Sequence, residues 1–590
     1  MDSLGDFTTS RRVVPISLAA IGIGVLGALV ALALLRLIGL FTNLFFFQRW
    51  GFELVPSAGS HLGAWVIPVP VVGGLVVGFI ARYGSERIRG HGIPEALEAI
   101  LVKGSRLEPR VAFWKPIASA VAIGSGGPFG AEGPIIMTGG AFGSIVAQLM
   151  SLTSLERRTL LVAGAAAGMS ATFAAPVSAV ILAVELLLFE WMPRSVIPVA
   201  MASATAAVVR HYLLGAGPIF PVPPHAAFVG LAGALGCVAV GLSAGALSML
   251  LTWAVYAAED AFERLPMHWM WWPALGGLAV GLGGWLFPRA LGVGYDVIAE
   301  VLRGGAAPRF LLGLLAVKGA IWALALGSGT SGGVLAPLLM MGGALGGLEA
   351  HFLPAEGAGF WALIGMAAIL AGTVRSPFTS IVFALELTHD VTSLLPLLIA
   401  CFVAHAITVL YLRRDILTQK VSRHGFHLSR EYAVDPLETV FVGEIMRVKV
   451  AVLPELVPAE RLPRFLKLGR QGGQRLYPVL DGSELILGVI TRDDLERISR
   501  THAHSREDLP LAAFLSASLV TAYPDEPMRA VVLRMMETGM TRLPVVSRLN
   551  PRRLEGLVSL KDILKARLRR LDDERRRRRV LSVRRIFSIS

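Results

Sequence analysis

The sequence predicts a mainly α-helical polytopic membrane protein built of two repeated halves and followed by a smaller soluble α/β part. Three observations predict it. Hydrophobic residues make up 54% of the 590 positions and charged residues only 16%, with a mean hydropathy of +0.64, which is too apolar for a soluble chain. The phrase from Gly124-Ser125-Gly126 through Glu132, Pro134 and Met137 to Gly139, Gly140, Ala141 and Gly143 recurs without a gap 203 positions later, as Gly327-Ser328-Gly329 through Pro337 to Met340, Gly342, Gly343, Ala344 and Gly346. After Leu412, long apolar runs rich in glycine give way to charged residues with short alternating stretches, the mark of a domain boundary.

The apolar runs lie near 13–40, 64–80, 134–154, 159–189, 196–209, 226–256, 272–287, 308–327, 333–349, 359–374, 377–387 and 391–411. Several approach the roughly 20 residues that a spanning helix needs. Others are short or broken by the many glycines and prolines, which predicts tilted or interrupted helices buried in protein, because irregular backbone cannot face lipid. The first run follows Arg11 and Arg12 and is longer than a signal-peptide core, so it reads as a retained helix. Cys237 and Cys401 sit inside apolar runs, where a thiol behaves as a small hydrophobe, and suggest neither a disulfide nor a metal site.

The net charge of +13 follows membrane topology. Arg82, Arg87, Arg89, Lys103, Arg106, Arg110 and Lys115 fill one connecting region, and Arg413, Arg414, Lys420 and Arg423 follow the last span. The positive-inside rule puts both regions in the cytoplasm, with both termini there and the protein in the cell (inner) membrane. Arg575–Arg579, Arg584 and Arg585 read as a solvated tail beside anionic lipid, with no nucleic-acid partner expected.

A second match, Ala175-Pro176 through Glu185-Leu186 against Ser376-Pro377 through Glu386-Leu387, lies 201 positions apart. The membrane part, 1–425, is thus two repeats of roughly 15–215 and 226–425. Repeats of this kind place a transport site at their interface. The soluble part repeats as well: Gly488-Val489-Ile490-Thr491 to Leu495 matches Gly556-Leu557-Val558-Ser559 to Ile563 at an offset of 68. Each copy has short β-branched strands before a helix opened by a hydroxyl residue with Asp three later. Expected boundaries are 436–498 and 511–570, with a basic tail over 571–590 and a polar loop around Thr501–Ser505.

The glycines and proline that open each repeated run start a helix within the membrane. Its unpaired N–H groups and the positive end of its dipole then point at a ligand, and the ligand they suit is an anion. The donors expected are the first-turn amides near Glu132 to Ile136 and Val334 to Leu338.

At these residues the chain resembles the CLC family of chloride channels and chloride/proton exchangers, followed by a pair of CBS domains. Three phrases carry the resemblance: Gly90-His91-Gly92-Ile93-Pro94-Glu95, Gly130-Ala131-Glu132-Gly133-Pro134 and Gly332-Gly333-Val334-Leu335-Ala336-Pro337. The likeness implies a homodimer whose subunits each carry a pore made of two inverted halves. It implies anion binding by Gly90, His91, Gly92, Ile93, Pro94, Gly130, Gly133, Pro134, Ile135, Gly333, Val334, Leu335, Ala336 and Pro337, with Glu132 as gate. Two readings of Glu132 stand side by side: a carboxylate capping its own helix, and a tethered stand-in for the anion that swings away when protonated or displaced. Chloride is the transported ion, no cofactor is required, and a gated channel is the first expectation, with proton-coupled chloride exchange as the alternative.

Three departures bear on mechanism. His91 stands where relatives mostly place Ser and fluoride-selective ones Met; an imidazole can also donate N–H. The last helix carries Ile416 and Leu417 where relatives often offer a Tyr hydroxyl, leaving backbone donors or Thr418 in its place. Glu185 is followed by Leu186 where exchangers commonly carry a second acid, and Glu190 lies one turn on. Glu185 and its mate Glu386 read as structural carboxylates that pair within the protein. In the CBS pair, the resemblance implies that Thr491, Asp494, Ser559 and Asp562 hold the ribose and phosphate of an adenine nucleotide, although helix capping accounts for the same residues. Two further classes compete: a nucleotide sensor merely anchored in the membrane, which the intact anion phrases disfavour, and a cation transporter, which helix N-termini at the site oppose. No Walker loop, HExxH or Ser/His/Asp pattern suggests an enzyme.

Overall fold

The computed structural model describes residues 11–223, 225, 228–423, 437, 440–471, 474–502, 508–515 and 519–575. The chain divides into two compact units, a membrane unit ending at 424 and a soluble unit over 425–575. The expected basic tail from 576 onward and the loop residues 503–505 lie outside the described residues.

The first half of the membrane unit runs α1 (Val13–Phe47), α2 (Pro68–Tyr83), α3 (Ile93–Leu101), α4 (Pro109–Gly124), α5 (Glu132–Leu149), α6 (Ser154–Phe173), α7 (Pro176–Leu182) and α8 (Pro193–Leu214). The second half repeats the series: α9 (Leu231–Glu263), α10 (Trp272–Leu286), α11 (Tyr295–Arg303), α12 (Pro308–Gly327), α13 (Leu335–Glu349), α14 (Phe360–Val374), α15 (Pro377–Thr388) and α16 (Leu394–Tyr411). A short α17 (Ile416–Arg423) follows, without a counterpart in the first half. Among the described residues, six helical stretches are long and apolar enough to cross a membrane, in α1, α2, α8, α9, α12 and Val391–Arg423.

The apolar run expected at 159–189 is broken in two. Ala174 closes α6 with φ 52°, and Pro176 restarts the chain as α7; the same break falls at Arg375, φ 57°, between α14 and α15. Helices α5, α6, α13 and α14 are covered by protein over most of their length, as short helices made of glycine and alanine must be if their backbones are to pack closely.

The relation between the halves can be read from their contacts. A Cβ on Gly74 would lie 2.3 Å from the Pro273 carbonyl, and one on Gly277 would lie 2.3 Å from that of Pro70. Gly78 meets Met270 and Gly281 meets Ile67 in the same way, at 2.1 and 2.2 Å. Every partner is the other's equivalent 203 positions on, so residue i touches j while j touches i, the signature of a twofold axis. As α2 advances from Gly74 to Gly78, its contact retreats from Pro273 to Met270, so the two helices run antiparallel. A twofold axis that exchanges antiparallel helices lies across them, and the halves are therefore inverted.

Lys115 departs from its expected place among the basic residues of a connecting loop. It lies within α4 and is fully buried, as is Lys318, its equivalent in α12. Each ammonium is satisfied by two loop carbonyls: Lys115 Nζ donates to Ile88 O and Gly90 O, both at 2.8 Å, and Lys318 Nζ donates to Ala290 O and Gly292 O at 2.9 and 2.7 Å.

In the soluble unit, β1 (Leu453–Pro454) pairs parallel with β3 (Leu476–Leu480), which pairs antiparallel with β4 (Ile486–Thr491). Strand β2 (Leu456–Pro458) pairs with β5 (Asp508–Pro510), and β6 (Arg542–Val546) pairs with β7 (Leu554–Ser559). Helices α18 (Val442–Ile445), α19 (Leu462–Gln471), α20 (Arg492–Thr501), α21 (Met528–Thr538) and α22 (Leu560–Arg575) pack around them. The bridge between Leu485 and Arg553 joins equivalent positions 68 apart, a second internal twofold. Leu476, Ile486 and Val489 of one copy share a core with Val546 and Leu557 of the other.

Candidate anion site

Two glycines, one from each repeat, bridge the halves of the membrane unit. Gly130 N–H donates to Gly333 O at 3.2 Å and Gly333 N–H to Gly130 O at 2.9 Å, a reciprocal bridge on the internal axis. It holds the starts of α5 and α13 face to face. The third phrase joins them, because Gly133 carries no Cβ: one built there would lie 1.8 Å from His91 O and 3.2 Å from Gly333 Cα. All three expected phrases thus converge, and Ile93, Ile135, Val334 and Ala336 are wholly buried there.

The helix starts differ from expectation in detail. Pro134 and Pro337 occupy the third position of α5 and α13 rather than the first. Proline has no N–H, and Ile135 N–H already bonds to Ala131 O at 3.0 Å. The first-turn donors therefore narrow from the expected Glu132–Ile136 to the amides of Glu132 and Gly133, and likewise to those of Leu335 and Ala336. On α3, Gly92 N–H is taken by Glu95 Oε2 at 2.7 Å, and Pro94 again lacks an N–H.

Glu132 is fully buried. Its Oε1 accepts the Ala336 N–H of the facing helix at 3.0 Å, so the carboxylate reaches across the axis to the positive end of α13. Its Oε2 has no hydrogen-bond partner. His91, 5% exposed, keeps Nδ1 without a partner. One carboxylate oxygen at the start of α5 and one ring nitrogen on the turn packed against Gly133 are thus left unsatisfied.

The expected structural role of Glu185 and Glu386 takes a reciprocal form. Glu185 accepts from Thr379 N–H and Oγ–H at 2.9 and 2.6 Å, while Glu386 accepts from Val177 and Ser178 N–H, both at 2.8 Å. Each carboxylate caps the inserted helix of the opposite half. Thr418 is buried, and its hydroxyl accepts Asp415 N–H at 3.3 Å within the cap of α17. A phenol does reach this helix, from a residue that sequence reading did not single out: Tyr256 of α9 donates to Ile416 O at 2.5 Å.

In the soluble unit the four expected nucleotide residues act within their own helix starts. Asp494 N–H donates to Thr491 Oγ at 3.2 Å, and Asp562 N–H to Ser559 Oγ at 3.3 Å. Asp562 also takes Arg447 at 3.2 Å. Nearby, Arg534 holds its charge more firmly than usual because Glu526 accepts its guanidinium N–H groups.

Opposed helix starts around a buried carboxylate, set in two inverted halves, define a membrane protein that handles anions. The comparisons with known proteins agree. The family described as "Voltage gated chloride channel" matches residues 73–409, and a CBS domain matches 511–569. A putative chloride channel protein, ClcB-like, from Ralstonia nicotianae is 30% identical over 57% of this chain and 81% of its own. The voltage-gated ClC-type chloride channel ClcB of Salmonella dublin is 30% identical over 68% of this chain and 98% of its own. The H(+)/Cl(-) exchange transporter ClcA of Yersinia pestis is 31% identical over 55% and 70%. Among solved structures, a slow cyanobacterial Cl-/H+ antiporter superposes with a TM-score of 0.61 at 22% identity, over 70% of this chain and 98% of its own. A eukaryotic CLC transporter superposes with a TM-score of 0.60 at 19% identity, over 93% and 97%. The chain belongs to the CLC family of voltage-gated chloride channels, integral membrane proteins that transport anions, and it carries a C-terminal CBS domain.

Proposed function

We propose that this chain is a chloride channel gated by Glu132. One observation carries the reading: the buried carboxylate of Glu132 lies on the amide of Ala336, at the positive end of a facing helix, where a chloride would bind. In this reading the amides of Glu132, Gly133, Ile93, Leu335 and Ala336 and the ring N–H of His91 form the anion's shell, and the glycines and prolines of the three phrases shape it. Protonation weakens the hold of the amides on the carboxylate, and a rising anion concentration competes for the same donors. Passage by a channel is supported by Leu186 in place of a second acid and by the use of Glu185 as a cap.

Proton-coupled exchange is the second reading. It draws on the relative named as an H(+)/Cl(-) exchange transporter and on Glu259 and Glu263, which line a cavity of about 560 Å³ together with Arg87, Lys103, Arg110 and Lys420. The face on which these cations gather is the cytoplasmic one by the positive-inside rule, in the inner membrane of the cell. The start of α1 is tied to it through the Arg12–Glu156 pair at 2.6 Å and the bond from Gln148 to Leu107 O. The working unit is a homodimer, the repeat units over 436–498 and 511–570 form a CBS pair, and an adenine nucleotide bound there regulates flux.

Purified protein in vesicles with a chloride gradient decides between the readings. A reversal potential at the chloride Nernst value without proton movement is the channel. A displaced potential with proton uptake is the exchanger, and no chloride movement at all defeats both.

A further inference from the structure

The turn Gly90-His91-Gly92 is held from two sides, and the two holds differ in how far they obey the internal symmetry. Lys115 clamps it from α4 through Gly90 O, and the same clamp recurs in the second half, where Lys318 grips Gly292 O in the turn before α11. The other hold has no symmetric partner. Glu95 accepts Gly92 N–H through Oε2 at 2.7 Å and Lys420 Nζ through Oε1 at 2.5 Å. The position equivalent to Glu95 in α11 is Val297, and α17, which carries Lys420, exists once. Both side chains are largely buried, at 14% and 19% exposed. The ammonium also presses on the turn itself: a Cβ on Gly90, where φ is +85°, would lie 2.2 Å from Lys420 Nζ.

Helix α17 is anchored as firmly on its other faces. Asp415 Oδ1 accepts the amides of Leu417 and Thr418, both at 2.8 Å, Tyr256 holds Ile416 O, and Arg423 pairs with Asp260 at 2.6 Å. A helix fixed at both ends delivers Lys420 to one place. We propose that the Lys420–Glu95 pair is a positioning device for the anion-binding turn: it fixes Gly92, and with it the Ile93 amide and the His91 ring, so the geometry of the anion shell is set from the last membrane helix. The inference rests on the transport reading above and assigns it two residues outside the anion shell.

The test is chloride and nitrate flux through reconstituted full-length K420M, E95Q and the conservative K420R, with thermal melting of each. The expected result is a loss of about tenfold in apparent chloride affinity and a changed nitrate-to-chloride permeability ratio in K420M and E95Q. K420R, which keeps a cation on Glu95 and leaves the carboxylate on Gly92 N–H, should retain most of both. K420M and E95Q that melt earlier yet keep the wild-type permeability ratio and affinity would show a stabilising ion pair only and overturn the proposal. A K420R variant that melts like the wild type but loses both quantities as K420M does overturns it too. Wild-type vesicles that move no chloride would instead sink the transport reading, and this proposal with it.

Discussion

Glu132 joins two facts that rarely coexist: complete burial and an unpaired carboxylate oxygen. The buried Lys318 acts on this carboxylate through space, but the direct hydrogen bond comes from a backbone amide on a helix start. Replacing it by Gln keeps the shape and removes the titration, so E132Q should conduct at every pH. Chloride flux of the wild type between about pH 4 and 7.5, a range that crosses the usual carboxylate titration, should vary several-fold while that of E132Q stays flat; parallel curves would return Glu132 to the role of a cap. Gly133 makes the second prediction at this scale. Ala there would press on His91 O from 1.8 Å, and G133A should cost about 1–3 kcal/mol of stability by overpacking, read as an earlier melting transition with weakened anion binding. Both residues were legible in the sequence because backbone chemistry required them, glycine for close approach and Glu at the head of an apolar run. Lys115 was not: a lysine amid Arg106, Arg110 and other cations looks like one more loop charge, and only its burial in the structure sets it apart.

At the scale of elements, the helices around the site are capped by parts of the chain remote in sequence. The bonds from Glu185 to Thr379 and from Glu386 to Val177 and Ser178 cross the interface between the halves. Each of E185Q and E386Q weakens a charge-assisted cap, a loss of about 1 kcal/mol, and because the sites are reciprocal the two should lower the melting temperature by similar amounts while chloride flux persists. A loss of flux at E185Q alone would move that residue from frame to pathway. The existence of α5 and α13 and the prolines near their starts followed from sequence, yet the prolines' place at the third position did not, since the two residues before each leave no compositional trace. The Tyr256 bond to Ile416 was hidden for a different reason: the partners lie 160 positions apart, and no local pattern announces such a meeting.

For the whole molecule, the inverted relation of the halves was named from resemblance and is now physical, carried by Gly74, Gly277, Pro70 and Pro273. The repeat was readable because these contacts and the Gly130–Gly333 bridge tolerate almost no side chain. The soluble unit was readable as a repeat but not as a ligand site, because Thr491 and Ser559 do in the structure what capping residues do anywhere. Adenine nucleotide supplied to the full chain at about a hundredfold over its dissociation constant should stabilise the unit that binds it by about 2.7 kcal/mol, seen in thermal unfolding, and D562N should erase that shift. An unmoved transition in the wild type would leave the four residues as caps.

The meeting of α2 with α10 has one more implication. A surface on which each half grips the other by the same residues is a surface that two separate, identical chains could also have shared, one inserted upright and the other upside down. Such a precursor would have needed no second gene to make its pore, only indifference to which way up it entered the bilayer. Fusion then freed the copies to diverge, so that one could carry Glu95 where the other carries Val297.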